Sequence, residues 1–372
     1  MQTKQYPFYL QATVVLFGLI LTVYVMAQLA DILIPLAFAA FFAVLLNRLC
    51  NRLERLKLPK IVAISVTLFI ATAVVAGIFF FLSSQIVSFG DTIPTLKAKF
   101  GQIINDLKNF VHQHFGINAQ KQVQYINDAM NSGKKLVGKT LNTVLGTLSL
   151  IFLIPVYIFL MLLYKRLIVN FVFEVFSEEN SARVAEILEE TKAAIQSYIV
   201  GLLTETAIVA VMNSAALLLL GVPYAILIGV IGALLNLLPY IGGLVAIALP
   251  VLMATISHDG YTTQLGVIGA YLFIQFIDNN ILVPRIVSSK VQINALISII
   301  GVLLGNQLWG ISGMFLSIPF IAVLKIVFDR IDGLKPWGKI LGDNIPTRSI
   351  GHIWKLRSER KAAEKEVKVT TT

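Results

Sequence analysis

Long stretches of this chain carry almost no charge, and that limits its fold more than any motif does. A hydrocarbon core of ~30 Å takes about 20 helical residues to cross, so an apolar run of 18 or more reads as a membrane helix. Phe8 to Ala27, Ile61 to about Val87, Asn142 to Leu163 and Leu202 to Leu220 are such runs, with a shorter one from Ile32 to Leu46. Only 13% of the residues are charged and 57% are apolar, whereas a soluble domain carries about 25% charged. The expected fold class is therefore all-α: a polytopic membrane protein of six to eight transmembrane or re-entrant segments, with the lipid bilayer as its solvent.

The few charges are also segregated. Thirty Lys and Arg against 20 Asp and Glu leave a formal net charge of +10. Nucleic-acid binding gives the same balance, but here the basic residues flank apolar blocks and form no aromatic-interleaved stripe. Cytoplasmic loops of membrane proteins collect Lys and Arg in this way, so no nucleic-acid partner is expected. Arg48 to Lys60 holds five basic residues and one acidic and is expected to be a cytoplasmic loop, with both termini on the same side. The first apolar block is too long for the core of a cleaved signal peptide and lacks a small-x-small cleavage site, so it is expected to remain as a helix.

Five regions follow along the chain. Residues 1–89 read as N-terminal transmembrane helices, with Asp31 in a short connection. Residues 90–140 form an extracytoplasmic polar insert in which Leu96, Phe100, Ile103, Ile104, Leu107, Val111 and Phe115 recur at helical spacing, between the start and stop marks Pro94 and Gly116. Residues 141–200 supply a membrane helix and then an acidic cytoplasmic helix from Ser177, with Glu178 and Glu179 in its first turn, running on toward Leu202. Residues 201–329 form a core with broken helices, and 330–372 a basic cytoplasmic tail.

The broken helices carry most of the information. An apolar stretch from Ala225 to Ile256 is interrupted at Leu238-Pro-Tyr-Ile-Gly-Gly243; a second, Ile293 to Phe328, is interrupted at Gly305-Asn-Gln-Leu-Trp-Gly310. Each is preceded by a membrane helix, Leu202 to Leu220 and Leu265 to Val283. Arms of about 14 residues give roughly 21 Å of helix, short of a full crossing. Two hairpins entering from opposite sides leave Arg285, Lys290 and the tail inside, as positive residues prefer. Eight complete spans also put both termini inside but leave Arg285 and Lys290 outside, so hairpins in an inverted repeat are preferred.

Non-helical backbone at membrane depth persists only where it is buried in protein or lines a wet cavity, and broken helices in an inverted repeat are a recurrent transporter design. Pro239, Tyr240, Gly242, Gly243 and Asn306 at the breaks are thus candidates for a solute or ion pathway, weighed against plain structural turns. A carboxylate at mid-membrane costs about 2.5–3.5 kcal/mol on insertion scales, which singles out Asp278. Gln275, Asp278 and Asn279 share a helix face at i, i+3, i+4, with Asn280 adjacent and Arg285 two turns on, within pairing range if Pro284 loosens the helix; interhelical hydrogen bonding is the plain alternative for this cluster. Glu205 is a candidate coupling residue or, near the expected start of its helix, merely interfacial. Lys325 reads as a snorkelling anchor. Gly301 with Gly305, and Gly229 with Ala233, read as close-packing pairs.

Other chemistry finds little support. Gly133-Lys-Lys-Leu-Val-Gly138-Lys139-Thr140 fits the phosphate-loop pattern, yet it follows a polar helical stretch instead of a buried strand, so no nucleotide is expected. His112, His114, His258 and His352 have no metal-ligand grouping, the single Cys50 excludes an internal disulfide, and no nucleophile-base-acid set is present. Neither a metal, another cofactor nor an enzymatic activity is expected.

Three segments taken together carry a resemblance: Leu237-Leu-Pro-Tyr-Ile-Gly-Gly243, Gln275-Phe-Ile-Asp-Asn-Asn-Ile-Leu-Val-Pro-Arg285 and Gly305-Asn-Gln-Leu-Trp-Gly-Ile-Ser-Gly-Met-Phe-Leu-Ser-Ile-Pro319. Over about residues 10 to 340 the chain resembles the AI-2E family of bacterial transporters. It departs at Gln292-Ile-Asn-Ala295, where many relatives have a His-Pro pair. The resemblance implies a bacterial inner-membrane exporter of a small polar solute such as autoinducer-2, or a sodium or lithium/proton antiporter, assembled as a homo-oligomer, with pentamers among the forms implied. An uncoupled channel or facilitator, and a non-transporting scaffold or regulator built on the 90–140 insert or the 177–200 helix, are the competing expectations.

Overall fold

A computed structural model describes residues 7–90, 101–102, 148–176, 180–237, 242–258, 260–287 and 293–343. The 90–140 insert falls almost wholly outside these, as do Ser177, Pro239, Tyr240, Lys290, the phosphate-loop-like segment and the tail from residue 344 on. Every regular element among the described residues is helical. Long apolar helices with charge at one end build a polytopic all-α membrane protein, as expected from the runs.

Eleven helices are described: α1 Phe8–Gln28, α2 Ala30–Arg55, α3 Lys60–Gly90, α4 Leu148–Leu163, α5 Lys165–Val175, α6 Ser181–Leu219, α7 Ala225–Asn236, α8 Gly242–Ser257, α9 Thr262–Ile277, α10 Ala295–Arg330 and α11 Lys335–Leu341. From Asp278 to Val287 α9 continues as a π-helix. Six helices are long and apolar enough to cross a membrane by length and composition, and α4 and α5 meet at a bend of 66°. Helix α1 buries none of its residues; an apolar surface of that extent is stable only against lipid or another chain.

Three boundaries differ from expectation. The basic segment 48–60 is mostly helix, because α2 runs on to Arg55. Asn47 and Cys50 are buried there, Cys50 in a cluster with Ile158 and Leu162 of α4, and Leu and Arg favour helix. Asp31 sits in the first turn of α2, where the helix dipole favours a carboxylate. Finally, the acidic helix starts at Ser181 with Asn180 as its N-cap, in place of Ser177, and it runs on into the membrane helix: α6 is 39 residues, about 58 Å long and nearly twice a hydrocarbon core.

Helix α6 serves as a ruler for the bundle. At its N-terminal end Arg330 pairs with Glu186 at 2.5 Å and with Glu190, and Arg183 lies 3.6 Å from Asp332. The hydrogen bond from Lys335, then the charges of Lys335 and Arg183, hold the Asp332 carboxyl below the usual range. Lys165 donates to Asn47 Oδ1 at 2.9 Å and Lys60 to the Leu163 carbonyl at 2.6 Å, placing basic residues where the last turn of α4 leaves carbonyls free. The C-terminal end has no comparable ion pairs among the described residues. There Gly221, at φ 70°, turns the chain beside His258.

Both broken stretches fold back on themselves. A Cβ on Gly242 would strike the Leu235 carbonyl, and one on Gly232 would lie 3.6 Å from Ala246 Cβ. Contacts whose partners move apart by equal steps mark antiparallel arms. In α10 the chain breaks at Trp309 and Gly310, the latter at φ 59°. Gly305 then meets the Gly313 carbonyl and Gly301 the side chain of Ile321, which a straight helix would hold about 30 Å apart. The first hairpin opens at Gly221–His258, beside the C-terminal end of α6. The second opens at the N-terminal end, where Asn294 caps its own helix and also donates to the Ile340 and Gly342 carbonyls at 2.5 and 3.1 Å.

Packing here rests on small residues, because lipid competes with apolar side chains and removes most of the hydrophobic gain on association. A Cβ on Gly229 would strike the backbone nitrogen of Ser214 on α6, and Asn213 reaches the Gly229 carbonyl at 3.5 Å. We expect Gly305→Ala to cost about 1–3 kcal/mol through forced separation of the two arms, read as a lower thermal unfolding midpoint in detergent. Gly269→Ala, where a Cβ meets nothing within 4 Å, should leave the midpoint unchanged or higher.

Candidate functional site

The end of α7, at Asn236, lies against α6 some way past its middle, at Glu205. Glu205 is thirteen residues past Lys192 and fourteen short of Leu219, about 20 Å from each, and its side chain is 4% exposed. Its helix begins at Ser181, so Glu205 lies well inside the helix and not near its start. Asp278, 2% exposed, faces it from the junction where α9 turns into the π-helix.

One amide joins the two acids. Asn236, the last residue of α7, donates to Glu205 Oε1 at 3.2 Å and to Asp278 Oδ2 at 2.8 Å. Its two N–H groups are all that an asparagine can donate, and both are spent. Gln275 approaches Asp278 Oδ2 at 3.5 Å and Asn279 Oδ1 at 3.4 Å. Asp278 Oδ1 has no hydrogen-bond partner among the described residues.

Glycines at the start of α8 make the approach close enough. A Cβ on Gly242 would strike the backbone of Leu235 and Asn236, and one on Gly243 would strike the amide oxygen of Gln275. Helix α7 therefore ends, and α8 begins, directly beside the acids, and helix ends present unpaired carbonyl and N–H groups.

The π-helix has a local cause. Pro284 lacks an N–H and its ring clashes with the carbonyl four residues back; the wider π winding relieves that clash. Asn280 donates its side-chain amide to the Phe276 carbonyl at 2.8 Å, a structural task that points it away from the acids. Stretches of π-helix within α-helices recur at functional sites.

Of the residues singled out in the sequence, Glu205, Gln275, Asp278, Asn279, Gly242 and Gly243 are brought together. Asn280 and Arg285 are exposed on the π-helix, and Arg285 forms no ion pair among the described residues. Asn306 is exposed near the break of the second hairpin, and Pro239 and Tyr240 lie outside the described residues. Asn236 was not anticipated; a lone Asn beside a break looks like a turn residue, and only its place seven residues after Gly229 distinguishes it. No group of three or more metal-ligating side chains occurs among the described residues.

The second hairpin reaches a similar depth from the other end. Ile318 and Val323 pack in one cluster with Ile195, Tyr198 and Ile199 of α6. From Ile318 nine residues remain before Trp309, and from Tyr198 seven remain before Glu205. Trp309 donates its indole N–H to the Met26 carbonyl of α1 at 2.9 Å, and Phe315 packs on Phe38 of α2 at 5.6 Å between ring centroids.

Known proteins share this plan in their sequences. The AI-2 transport protein TqsA of Escherichia coli K12 is 27% identical over 320 residues, covering 84% of this chain and 90% of TqsA. A candidate transport protein of Haemophilus influenzae is 24% identical over 84% of this chain and 91% of its own length, and YrrI of Bacillus subtilis 168 is 26% identical over 80% and 85%. The model of the AI-2E family transporters matches residues 14–333; with nearly the whole described core inside that match, the chain belongs to the AI-2E transporter family.

Proposed function

We propose that this chain is a secondary transporter of the bacterial inner membrane, moving a small polar solute in exchange for a proton or monovalent cation held by Glu205 and Asp278. One observation carries the reading: two carboxyl groups from separate helices, buried at mid-length of the bundle, share a single amide supplied by a hairpin turn. Two carboxylates in contact repel strongly where the dielectric is low. No Lys or Arg among the described residues reaches them, so a mobile cation is the missing charge.

The hairpins support this. In the membrane they are re-entrant, opening at opposite faces with their turns near the midplane, the arrangement that places solute and ion sites in many carriers. The basic end of the bundle, at Lys60, Lys165 and Arg330, is cytoplasmic by the positive-inside rule. Autoinducer-2, the solute in the name of TqsA, is the first solute to try, with Na⁺ and Li⁺ beside it.

Purified protein in liposomes should show gradient-driven flux of one of these. Asp278→Asn and Glu205→Gln should each reduce that flux to the level of empty liposomes while the protein folds normally. Full flux in both variants would remove the acids from the mechanism; wild-type flux indifferent to a collapsed proton or cation gradient would make the chain a facilitator; no flux of any tested solute would favour the scaffold reading.

A second expectation concerns stability. Asn236→Leu leaves both acids without their shared donor and should cost about 1–3 kcal/mol, seen as a lower unfolding midpoint in detergent. Asp278→Asn in the same background removes the like-charge contact and should restore most of the loss. Additive losses would show that the three side chains do not act together.

A further inference from the structure

Among the described residues, buried polar atoms without a hydrogen-bond partner gather between the acidic pair and the Gly221–His258 end of the bundle, whereas toward the other end Thr191 Oγ1 on α6 stands alone. On α9, Gln264, Tyr271 and Asp278 are spaced by seven residues, two turns each, and so share one face. They are 8%, 6% and 2% exposed. Gln264 Oε1, the Tyr271 hydroxyl and Asp278 Oδ1 each lack a hydrogen-bond partner among the described residues. On α6, Asn213 stands eight residues past Glu205, 2% exposed, with Oδ1 likewise unpartnered.

Gly232 links the two faces. A Cβ there would lie 3.3 Å from Asn213 Nδ2 and 3.4 Å from the Tyr271 hydroxyl, so the absent side chain leaves space between them. Gly232 is one helical turn from Asn236 on the same face of α7. Further out, Gln264 donates to the Ala254 carbonyl at 3.4 Å, and His258, whose Nδ1 is also unpartnered, stands at the open end of the hairpin beside Gly221.

On the other side of the acids the packing is mostly apolar, and Gln196, buried there, already donates to the Val44 carbonyl at 2.8 Å. Ile195, Tyr198 and Ile199 pack with Leu202, Ile318 and Val323. An unpaired buried polar atom costs about 1–3 kcal/mol, and buried water is the ordinary remedy where polar partners converge. Four such atoms on two facing helices, ending at the acids, point to one solvated route.

We propose that Asn213, Tyr271 and Gln264 line a single-file water path that carries protons between the Gly221–His258 end of the bundle and the Glu205–Asp278 pair. The inference rests on the pair being the protonatable site proposed above. Val267 and Met253, both fully buried in the cluster around Tyr271, keep the path narrow. Each transfer is balanced: the Tyr271 hydroxyl accepts a proton from the outer water as it passes its own to the inner one, and one proton reaches a carboxylate.

The test follows the carbonyl stretch of the protonated acid by infrared spectroscopy, in protein reconstituted into nanodiscs and mixed rapidly into D₂O. Deuterium exchange shifts the band, and the rate of the shift measures water access. Tyr271→Phe, which removes one oxygen and adds no bulk, should slow the shift by about tenfold, the equivalent of one lost hydrogen bond. Gly232→Ala should slow it further by placing a methyl between Asn213 and Tyr271. Gly269→Ala serves as the control and should exchange as the wild type does. A band that Asp278→Asn removes, but that exchanges at the wild-type rate in Tyr271→Phe, overturns the path and leaves the acidic pair standing. Absence in the wild type of any band removed by Asp278→Asn or Glu205→Gln overturns the path and the proton as the pair's ligand, while loss of Na⁺- or Li⁺-driven flux in the same variants still tests the pair itself.

Discussion

Two acids and one amide set the terms for the rest of the bundle. Glu205, Asn236 and Asp278 come from three helices, and each is costly in an apolar interior unless the other two are in place. Asn236 gives one N–H to each acid and has none left. The site has thus spent the amide's donors, leaves Asp278 Oδ1 without one and is short of positive charge, since no basic side chain among the described residues closes it. A fully apolar trio would pack as well and cost less. That balance is what the proposed exchange of a proton or small cation requires of the site.

Backbone geometry is arranged around that site. Gly242 and Gly243 let α8 start against the end of α7 and against Gln275, so Asn236 at the end of α7 can enter the space between α6 and α9. Pro284 forces the wider winding of 278–287, and Asn280 takes the Phe276 carbonyl. The π-helix begins at Asp278 itself, which puts the change in winding at the acidic residue. Gly229 seats α7 directly on the backbone of α6 at Ser214, fixing the depth at which Asn236 meets Glu205.

Much of this was legible in the chain, and the reasons the rest was not are specific. Apolar runs give membrane helices because lipid leaves few alternatives, and a carboxylate inside such a run, Asp278, stands out by its cost. Breaks with Gly and Pro mark the hairpins. Glu205 stands between a coupling and an interfacial reading in the sequence, because charged residues between 183 and 192 obscure how deep in one long helix it lies; its burial against Asp278 comes from packing that nothing local shows. Asn236 meets its partners across 31 and 42 positions, a relation that no local period encodes. The helical end of α2 at 48–55 was obscured by its charges, which lie on a helix whose other face is buried.

The two hairpins are held differently, and that difference bears on how a carrier of the proposed kind would expose the acids to either side. The first is fixed to α6 by backbone contact at Gly229 and by the shared amide, so moving it separates close-packed main chains and strands two buried carboxyls. The second meets α6 through apolar side chains, Ile318 and Val323 on Ile195 and Ile199, and through ion pairs of Arg330 whose partners are 51% and 43% exposed. Exposed pairs contribute at most about 1 kcal/mol each, and aliphatic contacts in lipid are readily replaced by lipid. The apolar seal on the basic side is therefore the weaker of the two attachments. Displacing the second hairpin along α6 opens the acids toward that side at far lower cost than moving the first. The tie from Trp309 to Met26 is the hydrogen bond that such a displacement has to break.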